Sequence, residues 1–483
     1  MKKEFSRYII PNLRQARKRL TKETNTVYFD LKDELIGIGA GKYYHIKTYG
    51  CQGNLADSEK LSGILEKMGF TCVNEDDKAD IIIFNTCAIR ENAENRVFGE
   101  LGRIKNLKKK NPNMLMILCG CMSHEENVVE AIASKYPQVD IVFGTHNIHK
   151  VGEFIYEAYN KNSRVIDVPS EEGDIVENVP VKREHSKKAW VNIMYGCSEF
   201  CTYCIVPYTR GKERSRKPED IINEVKKLAE EGYVEVTLLG QNVNAYGNDL
   251  EGLNYTFANL LDDLNKLPIK RIRFTTSHPR DLDDATIEVM GKGGNIMPHL
   301  HLPVQSGSNV ILKKMNRKYT KEEYIEKIEK LKAKVPGISI TTDIIVAFPG
   351  ETEEDFEETL DLVRKVGYEG AFTFIYSPRE GTPAAKLPNP LTEEEKKQRL
   401  LKLNDLINEG YLRGNKRFEG MTLEVLVEGY SEKNSSVLTG YTENNKLVNF
   451  ECDPSISDSL IGKLVNVKIE KAYSWHLKGE LVK

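Results

Sequence analysis

From Tyr43 onward the chain alternates short apolar runs with longer segments whose apolar residues recur every three or four positions. Runs of four to eight apolar residues read as buried strands and the longer period reads as amphipathic helix, so the pattern predicts βα repetition. "YYHIKTYGC" reads as a strand and "NLADSEKLSGILEKMG" as the helix behind it. "DIIIFNTC" with "ENAENRVFGELGRIKNLKKK", and "MLMILCGC" with "SHEENVVEAIASKY", repeat the unit, and "VDIVFG" supplies a fourth strand. These steps predict a small doubly wound, flavodoxin-like sheet over residues 43–161.

Residues 162–182 are polar and read as a linker. Over 183–413 a second βα series follows, with strands at "WVNIMY", "VEVTLLG", "RIRFTTS", "HLHLPVQ", "ISITTDIIVA" and "GAFTFIYS", and it predicts an open or partial β/α barrel. From 416 to 480 the alternation changes to period two, as in "TLEVLVEG" and "KLVNVKIEKA", which predicts a small all-β barrel. The fold class is therefore α/β multidomain. Residues 1–42 read as a basic polar extension, solvated or loosely docked.

Composition changes the picture in two ways. The 69 Lys and Arg residues against 72 Asp and Glu give a net charge of −3, so any nucleic-acid contact must come from local charge. Nine cysteines are an odd count in a long chain with no apolar stretch of the length a signal peptide or membrane span needs. The expectation is a cytoplasmic protein with no membrane partner, whose cysteines bind metal or catalyse instead of forming disulfides.

Three of those cysteines, Cys51, Cys87 and Cys121, each fall at the carboxyl end of a predicted strand. In an open α/β sheet those ends converge on the ligand crevice, which makes them one candidate three-thiolate site. Cys72, Cys119 and Cys452 lack this placement and read as small buried hydrophobes. A second trio, Cys197, Cys201 and Cys204 in "GCSEFCTYC", lies in the loop after the first barrel strand. Three thiolates on an iron–sulfur cube leave one iron open to a small chelating ligand, whereas structural zinc normally takes four protein ligands.

This CxxxCxxC spacing, with Tyr203 before the last cysteine, resembles the radical S-adenosylmethionine superfamily. Both trios, followed by a β-barrel, resemble the methylthiotransferase family, whose last part is called the TRAM domain. The stretches "KTYGCQGNLADSEK", "NTCAIRENAENRVFG", "MYGCSEFCTYCIVPYTRGKERSR", "LLGQNVNAYG", "HLPVQSGSN" and "YSPREGTPAA" look like its tRNA-modifying branch. The resemblance implies two 4Fe-4S clusters, S-adenosylmethionine as radical source and methyl donor, and methylthiolation of carbon 2 of N6-dimethylallyladenosine in the tRNA anticodon stem-loop. An electron donor such as a flavodoxin, and a sulfur donor, are the implied partners.

By position, Gln241, Asn242, Ser277, Gln305, Ser306 and Asp343 project from barrel strand ends and are expected to line the cofactor or adenine pocket. "TRGKERSRKP" packs Arg210, Lys212, Arg214, Arg216 and Lys217 behind the cluster loop, an expected phosphate contact. Two positions depart from the family pattern: Gly53 stands where methionine is usual, and Ala347 where glycine is usual. Ala347 matters if its backbone needs positive φ. Rival readings are a methylthiotransferase acting on threonylcarbamoyladenosine or on a ribosomal protein aspartate, and, outside enzymes, a metal-stabilised RNA-binding protein.

Overall fold

The computed structural model describes residues 4–12, 24–88, 91–183 and 187–482. Two compact units divide the chain: Met1–Glu184 with Met194–Phe200 and Cys204–Arg216, and His185–Ile193 with Cys201–Tyr203 and Lys217–Lys483. The first unit carries strands β1 (Phe5–Ile9), β2 (Thr26–Tyr28), β3 (Tyr43–Tyr49), β4 (Thr71–Cys72), β5 (Ile81–Thr86), β6 (Leu115–Gly120), β7 (Ile141–Phe143), β8 (Arg164–Asp167) and β9 (Ile175–Glu177).

Seven of these strands form one sheet in the order β1-β8-β7-β6-β5-β3-β4, with every pair parallel. Strands β3 to β7 keep the flavodoxin-like order, and the order reverses between β3 and β5. β5 and β6 are buried along their whole length, as a parallel sheet covered on both faces requires. One face packs Leu61, Ile64 and Leu65 of helix Gln52–Lys67 and Phe154 and Ile155 of helix Val151–Lys161 on Ile81, Ile83 and Ile117. The other packs Val97, Leu101 and Ile104 of helix Glu91–Lys110 and Val129 and Ile132 of helix Glu126–Lys135 on Ile82, Phe84 and Met116.

Two sequence expectations are corrected here. Residues 162–182 are not a linker, because β8 lies inside the sheet and β9 pairs with β2. The extension likewise supplies β1, which joins β8 and ties Arg7 to Asp167 at 2.5 Å. As an edge strand "FSRYI" is mostly exposed, and it shows neither the continuous apolar run of a buried strand nor strict alternation, which concealed it. The extension also supplies β2, which pairs with β9, while its residues 1–3 and 13–23 lie outside the described residues.

The remaining strands begin with β10 (Lys188–Asn192) and the short pair β11 (Met194–Tyr195) and β12 (Arg214–Ser215), which belongs to the first unit. β13 (Glu235–Leu239), β14 (Arg271–Phe274), β15 (His299–His301), β16 (Ser339–Val346) and β17 (Ala371–Ile375) follow. In the second unit β10-β13-β14 and β15-β16-β17 are parallel sheets, joined by a bridge from Ile272 to Ile296. The result is the expected partial barrel, with all six predicted strands present.

β18 (Thr422–Ser431), β19 (Asn434–Thr442), β20 (Leu447–Glu451), β21 (Leu464–Ala472) and β22 (Leu477–Leu481) close into a barrel filled by Val425, Leu438, Phe450 and Val467. This barrel meets the amino ends of the parallel strands. Arg271, the fully buried first residue of β14, donates to the Tyr441 and Glu424 carbonyls at 2.9 and 3.0 Å. Arg273 donates to Thr442 and Glu443 carbonyls at 2.7 and 2.9 Å and to the Glu235 carboxylate at 3.0 Å. Burial pushes the Glu235 carboxyl up, but Arg273, Lys188 and Arg271 outweigh it and keep the group ionised.

Removing one partner of such a pair strands a buried charge. Arg273→Met is expected to cost the second unit about 3–5 kcal/mol, read as a lower urea midpoint. Glu424→Gln, at the partly exposed rim, should cost under about 1 kcal/mol in the same titration.

Candidate functional site

Sheet register determines where the first cysteine trio stands. Thr86 is opposite Tyr49 on one side and Gly120 on the other, so Cys87 and Cys121 each follow one residue beyond that row and Cys51 follows two beyond it. Neighbouring parallel strands are about 4.8 Å apart, which brings all three cysteines to the carboxyl end of the sheet. That end includes the reversal between β3 and β5, where open α/β sheets bind ligands.

Buried amides fasten these loops together. The Asn54 side chain donates to the Asn85 side chain at 3.1 Å and to the Thr86 carbonyl at 3.2 Å, and Asn85 returns a bond to the Asn54 carbonyl at 2.8 Å. Asn54 Oδ1 also accepts from the Cys51 amide at 3.2 Å and from its thiol at 3.5 Å. A Cβ on Gly50 would lie 2.2 Å from that same oxygen, and one on Gly120 would lie 2.4 Å from the Thr86 carbonyl. With φ of +96°, Gly120 also holds a backbone that L residues avoid.

Cys87 and Cys121 are buried and Cys51 is half-buried. Burial pushes the Cys121 thiol up, and the Arg210 guanidinium, at 3.3 Å from its sulfur, opposes that shift. Arg210 is itself held by Asp57 at 2.7 Å. Burial works against its charge, but Asp57 and the Cys121 and Cys51 sulfurs outweigh that cost. Behind it, burial and Arg210 lower His124 to about 3, so that imidazole stays neutral and accepts from the Thr145 amide at 2.9 Å.

Among the described residues no three His, Cys, Asp or Glu side chains are grouped to hold a single metal ion. A four-iron cube takes each thiolate on a different iron, so its sulfurs stand farther apart than the ligands of one ion. Three strand-end cysteines beside one buried cation fit a thiolate-bound cluster. Gly53 would admit a Cβ in ordinary contact, 3.5 Å from Cys51 Sγ and 3.7 Å from Arg210, so space does not demand the glycine.

The second trio lies between β11 and helix Val206–Thr209. Its middle segment is clamped within the second unit: the Thr202 amide donates to the Met315 carbonyl at 3.0 Å, and the Ala384 amide donates to the Thr202 carbonyl at 2.9 Å. Tyr203 packs on Phe348, Tyr376 and Ala384, which explains why "YSPREGTPAA" accompanies the cysteine loop from so far along the chain. Arg317, buried and missed by sequence reading, donates to Cys201 Sγ at 3.4 Å. Nothing in its local sequence pointed there.

Strain marks the carboxyl ends of the barrel strands. Thr276 after β14, Gln305 after β15 and Ala347 after β16 have φ of +63°, +71° and +57°. Such outliers cluster at ligand sites because surrounding contacts over-determine them. Beside them, Asn242 Oδ1 and Ser277 Oγ are buried without a hydrogen-bond partner among the described residues, as groups awaiting a polar ligand would be. Asn242 Nδ2 is fixed on Asp281 at 2.6 Å.

Gln305 continues the sheet through its backbone, accepting from the Ile345 amide at 2.9 Å, and Asp343 takes a 3.4 Å contact from His301. Gln241 is half-buried after β13. Ser306 is corrected as a ligand contact, since its hydroxyl accepts from the Ser308 amide at 3.2 Å and meets Thr359 at 3.4 Å.

The basic stretch also needs correction. Arg210, Arg214 and Arg216 are buried: Arg210 is held as described, Arg214 donates to the Gly173 and Arg210 carbonyls, and Arg216 forms two 2.6 Å bonds to Glu177. Guanidinium groups enclosed this way do not face phosphate. Lys217 is exposed and Lys212 half-buried. None of the nine cysteines is in a disulfide; Cys119 is buried in the core, but Cys72 is exposed on edge strand β4 and Cys452 is half-buried at the rim of the small barrel.

Comparison with known proteins finds three family models along the chain. The Radical SAM superfamily model matches residues 191–363, the Uncharacterized protein family UPF0004 model 43–144, and the TRAM domain model 416–482. A solved radical S-adenosylmethionine methyltransferase, TsrM from Kitasatospora setae, shares the fold with a TM-score of 0.52 at 14% identity, covering 71% of this chain and 75% of that one. Fold and cysteine pattern together define the class, a radical S-adenosylmethionine protein with a TRAM barrel. Within it, tRNA-2-methylthio-N(6)-dimethylallyladenosine synthase of Bacillus subtilis is 56% identical over 98% of this chain and 93% of its own length. Its Geobacillus kaustophilus counterpart is 56% identical over 98% and 89%. The chain belongs to the tRNA-2-methylthio-N(6)-dimethylallyladenosine synthase family.

Ala347, where the family pattern has glycine, occupies the left-handed region predicted to matter there. Ala347→Gly is expected to stabilise the protein by about 1 kcal/mol, seen as a higher thermal midpoint. Ala347→Val should lower it, since a branched Cβ tolerates positive φ worse.

Proposed function

We propose that this protein methylthiolates carbon 2 of N6-dimethylallyladenosine beside the anticodon of tRNA. The observation that carries the reading is 56% identity to synthases of that name over nearly the whole chain, supported by three cysteine-bearing strand ends at the reversal of the first sheet. Cys197, Cys201 and Cys204 would hold one 4Fe-4S cluster with an iron left for S-adenosylmethionine, and Cys51, Cys87 and Cys121 would hold the other. When bound, these groups supply a carbon-centred radical able to take hydrogen from an aromatic C–H, together with a methylated sulfur to replace it.

The chain's own residues orient and enclose the reactants. Asn242 and Ser277 would offer their unpartnered oxygens to the bound cofactor, beside the positive-φ turns at Thr276, Gln305 and Ala347. His301, Asp343 and Phe372 stand together on adjacent strands, with His301 and Phe372 in edge-to-face contact at 5.9 Å, and provide a wall for the adenine. The TRAM barrel contacts the anticodon stem-loop by a local face, since its Lys and Arg are nearly balanced by Asp and Glu. Among the described residues no helix is long and apolar enough to cross a membrane. The reaction would draw on a cytoplasmic electron donor such as a flavodoxin and on a separate sulfur donor.

Anaerobically reconstituted protein, given S-adenosylmethionine, reductant, sulfide and tRNA bearing dimethylallyladenosine, should yield the methylthio nucleoside by mass spectrometry. Cys197→Ala is expected to abolish both this product and 5′-deoxyadenosine. Deoxyadenosine release without methylthiolation would sink the assignment of substrate, and tRNA with threonylcarbamoyladenosine and the ribosomal protein would then be tried as acceptors.

A further inference from the structure

Arg210 was expected to face solvent and phosphate, yet it is enclosed beside the first cysteine trio. Its Nη2 is fixed on Asp57 Oδ2 at 2.7 Å, which aims its Nε–H at Cys121 Sγ at 3.3 Å. Asp57 projects from the helix that begins directly after Cys51, which is its N-cap residue. The Arg210 carbonyl is in turn held by Arg214 at 2.9 Å, and the Arg210 amide closes helix Val206–Thr209 on the Val206 carbonyl at 2.9 Å. Backbone, guanidinium plane and sulfur are therefore all constrained. Cys121 also packs on Ala88, Ile205 and Tyr208, so this N–H···S contact lies in an apolar shell where an ionic hydrogen bond is little screened.

We propose that Arg210 is a positioning residue for the iron–sulfur cluster held by Cys51, Cys87 and Cys121, orienting Cys121 and stabilising the reduced cluster through its hydrogen bond to that sulfur. The inference rests on the reading of those cysteines as cluster ligands. Hydrogen bonds to ligating sulfurs and nearby positive charge favour the reduced, more negative state and so raise the midpoint potential. Asp57 serves as the anchor that prevents the guanidinium from swinging away. Arg216 provides a matched comparison: it is equally buried and doubly bonded to Glu177 in the same unit, and its guanidinium is spent on that carboxylate.

The test uses the full chain carrying Cys197→Ala, Cys201→Ala and Cys204→Ala, which leaves one cluster to observe, and compares Arg210→Gln, Arg210→Lys, Asp57→Asn and Arg216→Gln. Iron content and the midpoint potential from electron paramagnetic resonance titration are the readouts. About four irons in the parent establish the cluster; absence of iron there would refute the ligand assignment, and the role of Arg210 with it. With iron present, Arg210→Gln is expected to move the midpoint to more negative potential. Arg210→Lys and Asp57→Asn should shift it less, and Arg216→Gln should leave it in place. Should Arg210→Gln take up no iron, Arg210→Lys decides by whether its potential falls. Iron lost from both Arg210 variants while Arg216→Gln stays loaded would also support the positioning role. An unchanged potential in fully loaded Arg210 variants, or equal losses in Arg216→Gln, would overturn the proposal.

Discussion

The reciprocal hydrogen bonds between Asn54 and Asn85 hold the carboxyl ends of β3 and β5 in fixed relation across the point where the first sheet reverses its strand order. Buried amides must be satisfied, and here each takes partners across the gap: Asn54 on Asn85 and the Thr86 carbonyl, Asn85 on the Asn54 carbonyl and on Ser58 at 2.9 Å. That requirement joins the Cys51 turn to the Cys87 turn, while the lack of a Cβ at Gly120 lets the Cys121 turn close on the same row. A crevice that an open sheet would leave to solvent becomes a walled place for three sulfurs. The guanidinium of Arg210 can then be buried there, because Asp57 and the sulfurs compensate the loss of hydration.

In the second unit the two ends of the parallel barrel have opposite characters. At the amino ends Arg271 and Arg273 satisfy carbonyls of the TRAM barrel and carboxylates of both elements, so stability is concentrated there. At the carboxyl ends three consecutive strands finish in left-handed residues that are not glycine, with unpartnered polar atoms nearby. A barrel anchored at one end can tolerate strain at the other, and the strained end is where such folds hold their ligands.

Legibility in the sequence followed period and punctuation. All six barrel strands, the helices behind β3, β5 and β6, and the closed C-terminal barrel were visible because buried strands and amphipathic helices must repeat their apolar positions. β1 and β8 were missed because strands of five and four residues are too short to establish a repeat; β8 also includes Arg164, whose guanidinium is buried on the Val139, Ala133 and Ile132 carbonyls. The basic run after the cysteine loop misled for a related reason. Charge is readable from sequence, but whether it is solvated depends on partners such as Asp57 and Glu177, distant along the chain.

By itself the sequence determined the βα repetition, the period-two barrel at its end, and the places of its cysteines at strand ends and in "GCSEFCTYC". Local spacing and strand-end position are one-dimensional properties, and thiolate chemistry needs no further information to be recognised. Only the tertiary structure decided which arginine meets which sulfur, with Arg210 on Cys121 and Arg317 on Cys201. It also decided that Ser306 and Arg216 are spent internally and that Ala347 bears positive φ. Each of these depends on groups far apart in the chain sharing a buried volume, where the demand for hydrogen-bond partners fixes the role of a side chain more firmly than its identity does.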